Sequence, residues 1–347
     1  MSARSVLSVL DPARYDVIQV GITHQGAWLG GENVLDAFEK GETSSLMPVF
    51  ASTDPTRPGL FSVSSGQLKK LADVDIYFPV LHGTYGEDGT LQGLFEMADV
   101  AYVGAGVLGS SVGMDKALFK DVMRSNGIPV VESVTVLRAE IENQMEDVVR
   151  RAEALSGYPL FVKPANLGSS VGITKCRTRS DLMEGLFEAA QYDRRILIER
   201  GVGNPREIEV SVLGNDTPQV SVAGEIVPGA DFYSYDAKYI LDSSELNIPA
   251  ALSPEQAEII CQMAARAYKA CDCYGMARAD FLLEPGTGAI YLNEINTIPG
   301  FTKISMYPKL WQASGLSYQT LVDRLIELAF ERKADRDRTI REFRRQA

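Results

Sequence analysis

The sequence predicts a mixed chain of α/β and α+β units in three parts, residues 1–104, 105–199 and 200–347. Three observations carry that expectation. Short apolar strands alternate with helical patterns, glycine-rich turns follow strand ends, and no repeat or low-complexity linker interrupts the order. A length of 347 residues fits two or three domains of ordinary size.

In the first unit Ser2 to Leu10 reads as a helix with Val6, Leu7 and Leu10 on one face, and Tyr15 to Ile22 as a strand. Ile76 to Leu81 is a buried strand, Gly89 to Met97 opens a helix, and Ala101 to Val103 is a short strand. That alternation predicts a mostly parallel sheet. The second unit has a helix over Met114 to Asn126, a break at Gly127-Ile128-Pro129, and a strand at Ser133 to Leu137. A polar helix around Ile141 to Ser156 and strands at Leu160 to Lys163 and Ile196 to Glu199 complete it. The third unit has strands at Glu207 to Leu213 and Val220 to Val227, and a Tyr-rich loop at 229–242. A helix over Pro254 to Cys271 leads into a hairpin from Ala277 to Ile295. The last helix mixes Arg332, Lys333, Arg344 and Arg345 with acids and reads as solvated.

Composition excludes several functions. Acidic residues outnumber basic ones by 46 to 34, a net charge of −12, which argues against nucleic-acid or anionic-membrane partners. Apolar runs are too short to span a bilayer, and no leader pattern opens the chain, so the expected compartment is the cytoplasm. Cys176, Cys261, Cys271 and Cys273 form no CxxC pair and read as buried thiols. With only His24 and His82, a His-rich zinc site is excluded.

Three segments could carry chemistry. In the hairpin, pairing Leu283 with Ala289 puts Asp280 opposite Leu292 and Arg278 opposite Glu294. Arg278, Asp280, Glu294 and Asn296 then share one face, with Asp280 and Glu294 as diagonal neighbours about 7 Å apart at Cβ. Two carboxylates and an amide oxygen suit Mg²⁺, although a solvated strand face with an Arg–Glu pair fits the same pattern. A one-residue slip would break the shared face. The segment Lys163 to Gly172 brings a lysine out of an apolar strand into a Gly/Ser loop, which could close over phosphates or be merely flexible. His82 to Glu96 is a glycine-rich turn after a buried strand, where α/β sheets place ligands, and Asp88 or Thr90 could equally cap a helix there. Gly104 to Gly109 matches GxGxxG, but no long helix opens on it and no acid follows at dinucleotide spacing, so a turn between units is expected.

Together HGTYGEDGTLQGLFE (82–96), MDK (114–116), KPANLGSSVG (163–172), DFYSYDAKY (231–239) and the run from ARAD (277–280) to NEINTIPGFTKISMYP (293–308) resemble the D-alanine–D-alanine ligase family. The resemblance implies an ATP-grasp fold behind an N-terminal Rossmann-like domain. It implies ATP as co-substrate, two Mg²⁺ or Mn²⁺ ions, D-alanine as the other substrate and a homodimer. Lys116 and Lys163 would contact the phosphates under the 168–172 loop, which includes Ser169 and Ser170. Glu199 and Glu207 would take the adenine and ribose sides, and Asp280, Glu294 and Asn296 the metal. Arg278 and the Gly300 N–H would stabilise the oxyanion, and Ser305 and Met306 would clamp the second substrate's carboxylate. Tyr233, Lys238 and Tyr239 would lie on the closing loop, with His82 and Glu87 beside the first substrate. A tyrosine at 239 is tied to dipeptide rather than depsipeptide synthesis. The alternatives are another ATP-grasp carboxylate–amine or D-alanine–D-lactate ligase, or a nucleotide-binding protein of impaired catalysis. In the family the Ser2 helix follows a strand and a Gly-Gly-x-Ser-x-Glu loop. Residues 1–4 do not supply that segment, so the expectation is an N-terminal domain without its first strand, a Met1 that is an internal start or a truncation, and weak D-alanine binding.

Overall fold

The computed structural model describes residues 1–64, 66–168, 171–227 and 245–340. In the first unit Ile76–Tyr77 and Ala101–Tyr102 form a parallel pair. The remaining sheet there is antiparallel, in the order Val20–Ile22, Trp28–Gly30, Met47–Ala51, Leu60–Ser64, Gln67–Ala72. The mostly parallel expectation is corrected for this segment. Three of the four links between these strands are too short for a parallel crossover, and the fourth, which holds the helix Val34–Lys40, also returns the chain antiparallel, Leu29 pairing with Pro48. The helices are Ser2–Leu7, Val34–Lys40 and Thr90–Met97.

An eight-residue helix, Val107–Met114, opens within the GxGxxG stretch, and a second, Lys116–Ser125, follows with Asp115 as its cap. Asp115 accepts the Leu118 N–H at 2.8 Å, which satisfies one orphan donor of the first turn. The central sheet is antiparallel in the order Thr174–Cys176, Leu160–Pro164, Arg195–Arg200, Ser133–Leu137. The polar helix expected at 141–156 is two, Arg138–Asn143 and Met145–Leu155. Leu160, Val162, Ile196 and Ile198 bury one face of this sheet against Val148, Val149, Leu182 and Leu186. Strand alternation therefore sends Lys163, Leu197 and Glu199 to the other face. There Leu197 packs with Ala117 of the Lys116–Ser125 helix and with Ala165.

The third sheet runs Glu245–Asn247, Gly224–Val227, Arg206–Gly214, Gly275–Leu283, Ile290–Asn296. Ile208, Val210, Ala277, Ala279, Phe281 and Leu292 bury one face under Ile260, Ala264, Ala267 and Tyr268 of the Pro254–Ala270 helix. Position 207 and its alternates point the other way. The Tyr318–Asp337 helix is docked rather than solvated. Leu321, Leu325 and Leu328 are buried, and Arg332 and Arg336 pair with Glu96 at 2.7 and 2.5 Å. Burial of its apolar stripe and the acids of the first unit override the charge pattern. Residues 341–347, with Arg344 and Arg345, lie outside the described residues.

Candidate active site

The hairpin places its polar groups together, by a route the sequence reading did not foresee. Leu283 pairs with Ile290 and Phe281 with Leu292, and then a β-bulge shifts the register so that Asp280 faces Glu294 and Arg278 faces Asn296. The expected register, with Asp280 opposite Leu292, is corrected. Alone, the one-residue slip would have turned Glu294 away, and the extra residue, Asn293, restores the shared face. Asp280 and Glu294 are therefore directly opposite rather than diagonal.

The neighbouring strand extends this face. Glu209 pairs with Asp280 and Ser211 with Arg278, so Glu209, Asp280 and Glu294 form a row across three strands. Arg278 donates from Nε and Nη2 to the two carboxylate oxygens of Asp280, both at 2.7 Å. Its Nε also lies 3.0 Å from Glu209 Oε2. Asn296 Nδ2 donates to Asp280 Oδ2 at 3.0 Å. Enclosure by protein works against the charge on Arg278, but Asp280 and Glu209 hold its pKa well above the ordinary value. Glu207 lies two residues from Glu209 on the same strand face, opposite Leu282 and Ile226.

On the central sheet Glu199 is fully buried, and each of its oxygens takes one lysine. Lys120 Nζ lies 2.7 Å from Oε1, and Lys163 contacts Oε2. Burial alone would raise the Glu199 pKa, but the two ammonium groups bring it down to about 2. Burial lowers the Lys120 pKa in spite of Glu199. Lys116 donates from Nζ to the Leu167 carbonyl at 2.6 Å and from its main chain to Ala165 at 2.8 Å, which ties the 163–168 segment to the helix start.

His82 and Glu87 both grip Ile298. His82 Nδ1–H donates to the Ile298 carbonyl at 2.9 Å, and the Ile298 N–H donates to Glu87 Oε1 at 2.9 Å. Glu87 Oε2 accepts the Gly83 N–H at 2.7 Å. Glu87 is half-buried by exposed area but closely surrounded, and that desolvation raises its pKa to about 7 against the two N–H groups. Desolvation, with Arg278 nearby, lowers the His82 pKa, and because Nδ1 donates to the carbonyl, Nε2 is the acceptor in the neutral ring. Ser2 Oγ stands 3.3 Å from that nitrogen and accepts the Phe301 N–H at 3.3 Å. A Cβ on Gly300 would sit 2.6 Å from Ser305 Oγ, so a side chain there would turn that hydroxyl aside. Ser305 Oγ accepts the Thr302 N–H at 3.0 Å and stands at the start of the Met306–Ala313 helix. The Met306 side chain is buried with Ile226 and Leu310, so only its main chain can face a ligand.

The predicted residues thus form three groups. Arg278, Asp280, Glu294, Asn296 and Glu207 share a sheet face. His82, Glu87, Gly300 and Ser305 are gathered around the 296–305 segment. Lys116, Lys163 and Glu199 lie where the helix start meets the central sheet. Gly168 links two of them, since its Cβ direction points at Gly83, 3.6 Å away. Ser169, Ser170, Tyr233, Lys238 and Tyr239 lie outside the described residues. Sequence reading missed Lys120, Glu209, Ser2 and the Ile298 main chain. The available signal for Lys120 is its position between Ala117 and Met123 on the buried stripe of its helix.

Among the described residues no three His, Cys, Asp or Glu side chains gather closely enough to hold a metal by themselves. The oxygens of Asp280, Glu294 and Asn296 are nonetheless the hard donors that magnesium takes, one or two carboxylates being completed by phosphates and water. They fit that ion. A cavity of about 490 Å³ between Arg14, Gly214, Thr320 and Asp323 contains none of these residues.

Two family models match the chain, described as D-ala D-ala ligase N-terminus over residues 1–105 and D-ala D-ala ligase C-terminus over 122–327. A D-alanine–D-alanine ligase of Heliobacterium modesticaldum is 48% identical, over 98% of this chain and 93% of that protein. One of a Thermoanaerobacter species is 50% identical, over 95% and 92%. Among solved structures, the D-alanine–D-alanine ligase of Coxiella burnetii is 36% identical with a TM-score of 0.80, covering 97% of this chain and 90% of that one. The VanG D-Ala:D-Ser ligase of Enterococcus faecalis is 36% identical with a TM-score of 0.83, covering 94% of each.

Proposed function

The chain belongs to the D-alanine–D-alanine ligase family, and on that premise we propose how its residues divide the work. It is an ATP-dependent ligase that joins two D-alanines into the dipeptide used for peptidoglycan precursors. Its fold is the mixed α/β architecture of the solved ligases, an ATP-grasp fold. We keep the division into 1–104, 105–199 and 200–347 as substrate-side, central and metal-bearing units.

The single observation that carries the reading is the face shared by Arg278, Asp280, Glu294 and Asn296. A carboxylate is a poor acyl donor because its leaving group would be oxide. Transfer of the ATP γ-phosphoryl group gives an acyl phosphate, which the second amine can attack. Asp280, Glu294 and Asn296 would hold two magnesium or manganese ions, which when bound would offset charge on the phosphoryl oxygens. Lys116 and Lys163 hold the phosphates under the 168–172 loop with Ser169 and Ser170, and Glu199 and Glu207 take the adenosine side. Arg278 stays charged between Asp280 and Glu209, and with the Gly300 N–H it stabilises the oxyanion of amide formation. Ser305 and the Met306 N–H, at a helix start, take the second substrate's carboxylate. His82 and Glu87 line the first substrate, and Tyr233, Lys238 and Tyr239 close the site against water.

Among the described residues no helix is long and apolar enough to cross a membrane, and the four cysteines are free thiols. With ATP as substrate, these support a cytoplasmic site of action. The homodimer is proposed on family grounds, and sedimentation at twice the chain mass tests it.

The test incubates the full chain with ATP, Mg²⁺ and D-alanine and measures ADP release and dipeptide. Asp280→Asn is expected to lower turnover at least about a hundredfold while the thermal melt persists. Unchanged ADP release would remove Asp280 from the mechanism. The VanG structural likeness supports a second reading for the acceptor, D-serine. Product analysis with equal D-alanine, D-serine and D-lactate decides between them.

A further inference from the structure

Lys120 has no place in the roles above, yet it is the most deeply buried charge near them. It is 1% exposed, on a helix face with Ala117, Phe119 and Met123, and among the described residues its ammonium reaches Glu199 and the Val131 carbonyl, at 2.7 and 3.3 Å. Lys163 shares the same carboxylate through its other oxygen but keeps 13% of its side chain exposed. It also sits one residue before the end of its strand, where the 165–168 segment begins. The set Lys120, Glu199 and Lys163 therefore carries one surplus positive charge, and only Lys163 can be reached by a solute.

We propose that Lys120 is a positioning residue, the permanent counter-ion of Glu199 that leaves Lys163 free to pass to an incoming phosphate. A buried carboxylate that loses its last cation is left uncompensated. With Lys120 in place, Lys163 can turn from Glu199 to a phosphate and Glu199 remains paired. Without it, Lys163 becomes the sole partner and the buried acid holds it back. Lys120 acts through Glu199 and never touches the nucleotide. The inference rests on Lys163 being a phosphate lysine.

The experiment measures dissociation constants of ATP and adenosine by calorimetry on the full chain with Mg²⁺, and compares their ratio. Lys163→Met is the control, and a ratio unchanged in that variant overturns both the phosphate reading and this one. Given a fall there, Lys120→Met should reduce the preference for ATP about tenfold with adenosine affinity little changed. An unchanged ratio in Lys120→Met, or equal losses for ATP and adenosine, overturns the proposal alone. Removing the acid should cancel the effect, so Glu199→Gln and the double variant Lys120→Met/Glu199→Gln should show the same ATP preference. That pair also decides the matter should Lys120→Met alone fail to fold. A further drop in the double variant would mean that Lys120 acts on the phosphate directly, and would overturn the proposal.

Discussion

Glu199 in the central unit and Glu87 beside Ile298 are both surrounded by protein, and both accept at each oxygen, yet their acidities move in opposite directions. Glu199 falls to about 2 and Glu87 rises to about 7. Two ammonium groups serve the first, and two main-chain N–H groups serve the second. The number of donors is equal, so it is formal charge that decides whether a desolvated carboxylate stays ionised. The fold uses the difference. One acid anchors a positive cluster suited to phosphate, and the other joins two chain segments without adding a fixed charge beside Arg278 and Glu294.

The comparison is broken most severely by turning Glu199 into a second Glu87. Lys120→Met/Lys163→Met leaves the buried carboxylate without a cation, with an expected loss of about 3–5 kcal/mol at neutral pH. Part should return on acidification, once Glu199 protonates. Urea midpoints at neutral and mildly acidic pH check this, and equal midpoints would show that Glu199 had found another cation.

Acid titration sharpens the contrast with less effect. Because the folded pKa of Glu199 lies below that of the unfolded chain, its contribution is complete above about 4.5. It is lost as pH falls towards 2, amounting to about 3 kcal/mol. Glu199→Gln should flatten that part of the stability curve. Glu87 has the reverse sign. Its folded pKa is raised, so the native state holds an extra proton between about 4.5 and 7, and stability falls as pH rises through that window. Discounted for its half-exposed position, the change is about 2 kcal/mol, and Glu87→Gln should abolish the slope. Thermal melts across both windows read the two effects.

The smallest effect belongs to an intermediate case. Glu96 is desolvated in part, but Tyr102, Arg332 and Arg336 lower its pKa. Its side chain keeps 27% exposure, so Glu96→Gln should cost within about 1 kcal/mol. That cost should shrink further in about 1 M salt, which screens such pairs. A salt-independent loss would place Glu96 with Glu199.

Much of this was legible in the sequence where chemistry follows from alternation. Arg278, Asp280 and the buried Ala277, Ala279 and Phe281 alternate from Ala277 to Leu283, and the structure agrees. The bulge was legible in principle, since Leu292 and Ile295 are three apart and a regular strand would bury every second residue. Pairing in the first unit was not, because its strands are mostly three to six residues long and periodicity says nothing of the partner. Lys120 was hidden for a different reason. Its counter-ion is on another element, far along the chain, and a lysine in a helix reads as solvated until that partner is seen. Glu209 was passed over because its meaning comes only from the register with Asp280.

The bulge also has a genetic consequence. Asn293 is the unpaired residue, and Ile290–Asn296 is an edge strand of its sheet. Loss of codon 293 would leave Asp280 facing Glu294 in an unbroken ladder. A codon lost from Gly275–Leu283 would instead have to satisfy neighbours on both sides, one of them paired without interruption from Arg206 to Gly214. In a library of single-codon deletions the two strands of this hairpin should therefore differ sharply in tolerance. Lineages could gain or lose that one residue while the acids across the sheet kept their partners.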